Sequence, residues 1–184
     1  ILHHQEIDLK RFESFKHRTF QYPDTLYFID FFKQHYQRNN SLESAFSQSL
    51  HPTDLTIENG LNGFYDYFFR SEWAPERTKK HIASPQKNSA CKRINMFLRW
   101  MVRKDKAGVD FGLWNTIKPS QLVCPLDVHA MRTASILGLM NEEKANWKTA
   151  LALTNTLREL DPTDPVKYDF ALYGMGIEEK TQWK

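Results

Sequence analysis

Ser89-Ala90-Cys91-Lys92-Arg93-Ile94-Asn95-Met96-Phe97-Leu98-Arg99-Trp100-Met101-Val102-Arg103-Lys104 reads as a two-faced helix, and the fold class follows from it. Ile94, Phe97, Leu98 and Met101 fall at i, i+3, i+4 and i+7, an apolar stripe at helical period. Lys92, Asn95, Arg99 and Arg103 fall at i, i+3, i+7 and i+11 and make a polar stripe. Asn88 or Ser89, at the end of a polar turn, is placed to cap the helix from about Ala90. The stretch closes on Cys124-Pro125-Leu126-Asp127-Val128-His129, where proline stops an apolar run and a carboxylate stands at a new helix start. A lysine and an aspartate, each beginning a helix, are the two charges to explain.

Outward from this stretch the chain reads as helical almost throughout. A short helix is expected over 7–15, a break at Tyr22-Pro23-Asp24, and a helix over 25–37 with Leu26, Ile29, Phe32 and Tyr36 at helical spacing. Ser41 is placed to cap a helix over 42–49, and Thr53 or Asp54 to cap one running to about Arg70. That last helix carries Leu61, Phe64, Tyr65, Phe68 and Phe69, an aromatic stripe that reads as core rather than as a base-stacking platform. A short basic helix over 76–82 precedes the central one. A loop with Gly108 and Gly112 follows it, with a helical turn expected at 113–117. The helix over 127–137 ends at Gly138, the residue a left-handed C-cap wants. A helix over 144–160 turns Trp147, Leu151, Leu153 and Leu157 inward. Asp164 and Pro165 start a last helix that the glycines of Gly174-Met175-Gly176 should end. Neither an Asn-Gly or Asp-Gly turn nor sustained period-two alternation signals a strand. The expectation is an all-α single domain over 1–184, a globule of nine or so helices.

Composition fits that class. The 184 residues are 41% hydrophobic and 14% aromatic with seven glycines, enough to bury a core. No apolar run of transmembrane length and no secretory signal occur, so a cytoplasmic protein is expected, with no membrane partner. The chain opens on Ile1 rather than Met, which allows for a truncated N-terminus. Cys91 and Cys124 are too few for a disulfide framework, a structural zinc site or a four-cysteine cluster, so free thiols are expected, with no cofactor and no metal. Net charge is only +3, but residues 75–106 carry +8 and leave −5 for the rest. A basic block on a mildly acidic body suits a polyanion, or else is a solvated helix face.

A lysine in the first turn of a helix sits at the positive end of the dipole, which favours its neutral, nucleophilic form. An aspartate at a helix start is held ionised by the same field. Together they suit attack at an acetal-like carbon, with the carboxylate taking up a proton and stabilising positive charge on a sugar ring. The plain alternatives are that Asp127 is an N-cap and Lys92 one of many surface lysines.

Val123-Cys124-Pro125-Leu126-Asp127-Val128-His129, then Arg132 and Leu137-Gly138, resembles the signature of the helix-hairpin-helix DNA glycosylase superfamily, a Pro-x-Asp-x-His segment before a helix ending in Leu-Gly. Asp169-Phe170-Ala171-Leu172 followed by Gly176 resembles that superfamily's C-terminal helix. The likeness covers residues 84–177 and is greatest toward the archaeal 8-oxoguanine DNA glycosylase branch. Lys92-Arg93 through Arg103, with Asp164 through Leu172, is similar to an uncharacterised bacterial family grouped near those enzymes.

The resemblance implies a helix-hairpin-helix glycosylase fold and a base-excision repair enzyme with AP-lyase activity, acting on a damaged base in duplex DNA, with an oxidised purine the leading candidate. It maps Asp127 to the catalytic carboxylate and Lys92 to the Schiff-base lysine, and sets His129 near the DNA backbone. The superfamily's Leu-x-Gly-Val/Ile-Gly turn is replaced here by Pro85-Gln86-Lys87-Asn88-Ser89-Ala90. The phosphate grip is therefore expected from Lys87, Asn88 and Ser89 with the helix N-terminus, and further DNA contacts from Arg93, Arg99 and Arg103. A DNA-binding protein of this kind would sit at the bacterial nucleoid. The rival readings are a non-catalytic nucleic-acid-binding protein on the same fold and a helical protein-interaction module.

Overall fold

A computed structural model describes residues 3, 5–141 and 144–182. It is mostly helical, as expected. Among the described residues the α-helices are α1 (Glu6–Lys10), α2 (Tyr22–Tyr36), α3 (Glu43–Ser47), α4 (Glu58–Phe68), α5 (Lys92–Val102), α6 (Val128–Ile136), α7 (Trp147–Leu160) and α8 (Asp169–Gln182). Short 3-10 turns occupy Glu76–His81, Pro85–Lys87, Pro119–Gln121 and Pro165–Tyr168. None of these helices is long and apolar enough to cross a membrane.

The strand-free expectation needs one correction. β1 (Lys16–His17) and β2 (Phe20–Gln21) pair as a small antiparallel hairpin, with Lys16 opposite Gln21 and His17 opposite Phe20. Arg18 supplies the turn with φ 56° instead of a glycine or asparagine, so the sequence signal for a hairpin is missing. The hairpin feeds straight into α2, and Tyr22-Pro23-Asp24 is that helix's first turn rather than a break. Proline has no amide to lose in a first turn, and Asp24 accepts the Gln21 amide at 2.8 Å.

The buried face of α2 is also turned by one residue from the expected one: Asp24, Tyr27, Phe31 and His35 point inward. The polar members are satisfied there. Thr78 Oγ1 donates to Asp24 at 2.8 Å, and the His35 ring nitrogens meet Tyr67 Oη and Ser41 O at 2.9 and 3.0 Å. The aromatic stripe of α4 is core. Phe64 and Phe68 are buried, and Phe46 of α3 stacks on Phe64 with centroids 4.2 Å apart. One cluster of buried side chains runs from Tyr27 to Leu172, drawing on α2 to α8.

Two helix ends follow the sequence reading and one does not. Gly138 ends α6 at φ 69°, with Leu139 N bonded to Ala134 O and Gly138 N to Ser135 O, the paired bonds of a Schellman motif. Asp127 caps the start of the same helix. Gly174 and Gly176, by contrast, lie inside α8, which runs on to Gln182. A Cβ on Gly176 would sit 2.7 Å from Thr133 Oγ1 and 3.3 Å from His129 O, so this glycine lets α8 approach α6 rather than ending it. The segment after α5 has no helical turn at 113–117. Its turn is shaped by Asp105, whose carboxylate accepts the amides of Gly108, Val109 and Asp110.

Candidate active site

α5 and α6 start side by side. Neither Asn88 nor Ser89 caps α5; Cys91 holds the N-cap position at φ 51° and gives no side-chain acceptor. Asn88 instead ends the Pro85–Lys87 turn at φ 52°, and the Ser89 hydroxyl accepts the Cys91 amide at 3.3 Å. Lys92 is the first residue of α5. Its Nζ lies 2.9 Å from Asp127 Oδ2, with side-chain exposures of 38% and 21%. The other oxygen, Asp127 Oδ1, accepts the His129 and Ala130 amides at 3.0 and 2.9 Å. One carboxylate therefore caps α6 and holds Lys92, so the cap and the catalytic candidate are the same group used twice. Burial pushes the Asp127 carboxyl up, but the Lys92 ammonium and the two amide donors outweigh it, and the group titrates below the usual carboxylate range.

The pair stands at the edge of a cleft of about 350 Å³. Met96 and Trp100 of α5 and Phe170 and Tyr173 of α8 supply apolar walls, with Val109, Pro125, Ala130 and Asp169 completing the lining. Volume and lining fit a site for a small, flat ligand portion. The sequence reading assigned none of these walls. Met96 and Trp100 follow Lys92 at i+4 and i+8, which could have suggested a shared face; Phe170 and Tyr173 come from α8 and carry no local signal.

The remaining sequence candidates separate. Arg93 is exposed on α5. His129 is half-buried, with its ring edge-on to Tyr173 at 6.3 Å. Lys87 is bonded to Tyr65 Oη and lies over that ring at 4.3 Å, so it is partly spent on packing. Arg99 and Arg103 correct the expected DNA stripe. The Arg99 side chain is 2% exposed, paired with Asp110 at 3.2 Å and with Asp169, and its guanidinium lies 3.8 Å from the Phe170 ring centroid. Arg103 is 11% exposed and pairs with Asp110 and Asp164. Guanidiniums buried against carboxylates are turned to the interior rather than to a phosphate, so both arginines serve as internal braces.

Asp169 is part of this network and also lines the cleft; burial raises its carboxyl above the usual range despite the Arg99 charge. Cys91 and Cys124 are free and buried. Burial pushes the Cys91 thiol up to about 11, which disfavours it as a nucleophile beside Lys92. Among the described residues no group of His, Cys, Asp and Glu side chains is arranged to hold a metal ion.

A family model described as "Protein of unknown function (DUF2400)" matches residues 1–178, nearly the whole chain. The chain belongs to the DUF2400 family. No curated protein and no solved structure matches it. The family match spans both the hairpin and the α5–α6 junction.

Proposed function

We propose that this DUF2400 protein is a base-excision DNA glycosylase with AP-lyase activity, on a fold of helix-hairpin-helix glycosylase type. The observation that carries the reading is the Lys92–Asp127 contact at 2.9 Å on the rim of an apolar cleft. A nucleotide unstacked from duplex DNA would lay its base between the walls of Met96, Trp100, Phe170 and Tyr173 and its sugar against the pair. Lys92 passes a proton to Asp127 and attacks C1′. The C1′–N bond breaks, and the base leaves with the bonding electrons and takes up the proton Asp127 received. Having handed on that proton, the Asp127 carboxylate, fixed by two amides, stabilises the positive charge left on the sugar. The second amine proton passes to O4′ as the C1′–O4′ bond breaks, which leaves a protonated imine on Lys92; loss of a C2′ proton then expels the 3′-phosphate and cleaves the strand. By resemblance the base is an oxidised purine such as 8-oxoguanine.

Borohydride trapping tests this. Incubation with a duplex holding 8-oxoguanine or an abasic site should give a covalent adduct that disappears in Lys92→Ala. An adduct that persists in Lys92→Ala, or duplex binding with no adduct on any substrate, would overturn the lyase reading. The second outcome favours the non-catalytic nucleic-acid-binding reading, which the absence of the superfamily's glycine turn supports.

A further inference from the structure

We infer that the pocket between the β1–β2 hairpin and the first turn of α5 is a seat for a phosphodiester of the nucleic-acid strand, a site distinct from the apolar cleft. The inference rests on the nucleic-acid reading above. The pocket holds about 280 Å³ and is lined by His17, Arg18, Thr19, Phe20, Phe28, His81 and Arg93, so four of these seven carry or can carry positive charge. Among the described residues the carboxylate that a lining side chain meets is Asp24, and it is already occupied. It is fully buried, paired with Arg77 at 3.1 Å, bonded by Thr78, and 3.5 Å from His81 Nε2. Arg18 and Arg93 pair with no carboxylate among the described residues. Two guanidiniums facing one polar pocket without a counter-charge make a site for an anion, and their planar forks suit phosphate oxygens.

Backbone geometry agrees. Among the described residues the non-glycine positive-φ positions are Arg18, Asn88 and Cys91. All three flank the start of α5: Asn88 and Cys91 in the turn before it, Arg18 across the pocket from Arg93. Arg18 puts a long cation where the backbone asks for glycine, and strain of this kind collects at functional sites. The hairpin that presents it is pinned rather than loose. Arg77 donates to Gln21 Oε1 at 2.8 Å and to Thr19 O at 3.3 Å, while Phe20 packs edge-on to Phe28 and His81. The amides of Lys92, Arg93 and Ile94 in the first turn of α5 bond no acceptor among the described residues, which adds the dipole's positive end to the same region. Lys92 faces the cleft and Arg93 the pocket, so a strand whose sugar meets Lys92 carries an adjacent phosphate past Arg93.

The test is the salt dependence of duplex binding, read by fluorescence anisotropy with an abasic-site duplex between about 50 and 200 mM salt. Arg18→Gly removes the charge while relaxing the turn, so the thermal midpoint should hold or rise. Affinity at the low-salt end should fall several-fold, and the slope of log affinity against log salt should shrink by about one phosphate's worth. Arg93→Ala should shrink the slope similarly. If wild type binds and Arg18→Gly matches it in both affinity and slope, the seat is overturned and the glycosylase reading stands. If wild type binds no nucleic acid even at low salt, both fall.

Discussion

Two sets of cations on α5 differ in a way their spacing conceals. Lys92, Asn95, Arg99 and Arg103 lie on one polar stripe, yet Lys92 meets a single carboxylate at a partly open rim, while Arg99 and Arg103 are enclosed by Asp110, Asp164 and Asp169. The first arrangement leaves a nitrogen and a carboxylate accessible to a ligand in the cleft. The second buries both guanidiniums against acids and ties α5 to the loop after it and to the start of α8. The lesson is that a basic stripe stays open to a ligand only where the fold does not enclose it with acids.

The largest contrast should come from Lys92→Ala. The adduct rate should fall by about a thousandfold or more, since the nucleophile itself is gone. Stability in urea should change by no more than about 1 kcal/mol, because a partly exposed ion pair contributes little. A trapping-competent Lys92→Ala would erase the distinction between the two sets.

Arg99→Met should behave in the opposite sense. It strands Asp169 in the interior and leaves Asp110 to Arg103 alone, and the cost should be about 3–5 kcal/mol, read as a shift of the denaturation midpoint. A loss below about 1 kcal/mol would mean that Arg99 is not the brace described here.

Asp127 joins the two behaviours in one residue and separates them by variant. Asp127→Ala should cost about 1 kcal/mol of stability through the lost cap and also abolish trapping, whereas Asp127→Asn keeps a capping oxygen and should lose the chemistry together with only the smaller stabilising contribution of the charge. Trapping and urea titration on the two proteins make the comparison.

The smallest effect is in pH. The folded Asp127 carboxyl titrates below its unfolded value, so its stabilising contribution is complete above the ordinary carboxylate pKa of about 4 and fades as pH falls through the folded value. The stability gap between wild type and Asp127→Asn should therefore close on acidification below about pH 4. Asp169 runs the other way: its raised folded pKa makes stability fall as pH rises from the unfolded value through the folded one. A wild-type to Asp127→Asn gap that is constant from neutral to acid pH would break the assignment of this charge to Asp127.

Much of the fold was legible. The central helix, the aromatic core of α4, the Gly138 end of α6 and the Asp127 cap all follow from period, capping chemistry and left-handed glycine. The β1–β2 hairpin was not, because Arg18 occupies the position where the readable residue would be glycine or asparagine. The end of α8 was misread because glycine has two uses. Gly138 is chosen for its φ, while Gly176 is chosen for the space beside Thr133, and a sequence shows the residue without the reason.

The sequence by itself determined the helical class, the Asp127 start of α6 and, to within two residues though with the wrong cap, the start of α5, since those depend on residues within a turn or two of each other. Only the tertiary structure decided that the two starts meet at 2.9 Å, and that Arg99 is enclosed by acids 11 and 70 positions away. The physical reason is range. Capping and amphipathic period act over one or two turns, whereas an ion pair is fixed by which helices pack together, a choice made by the whole core at once.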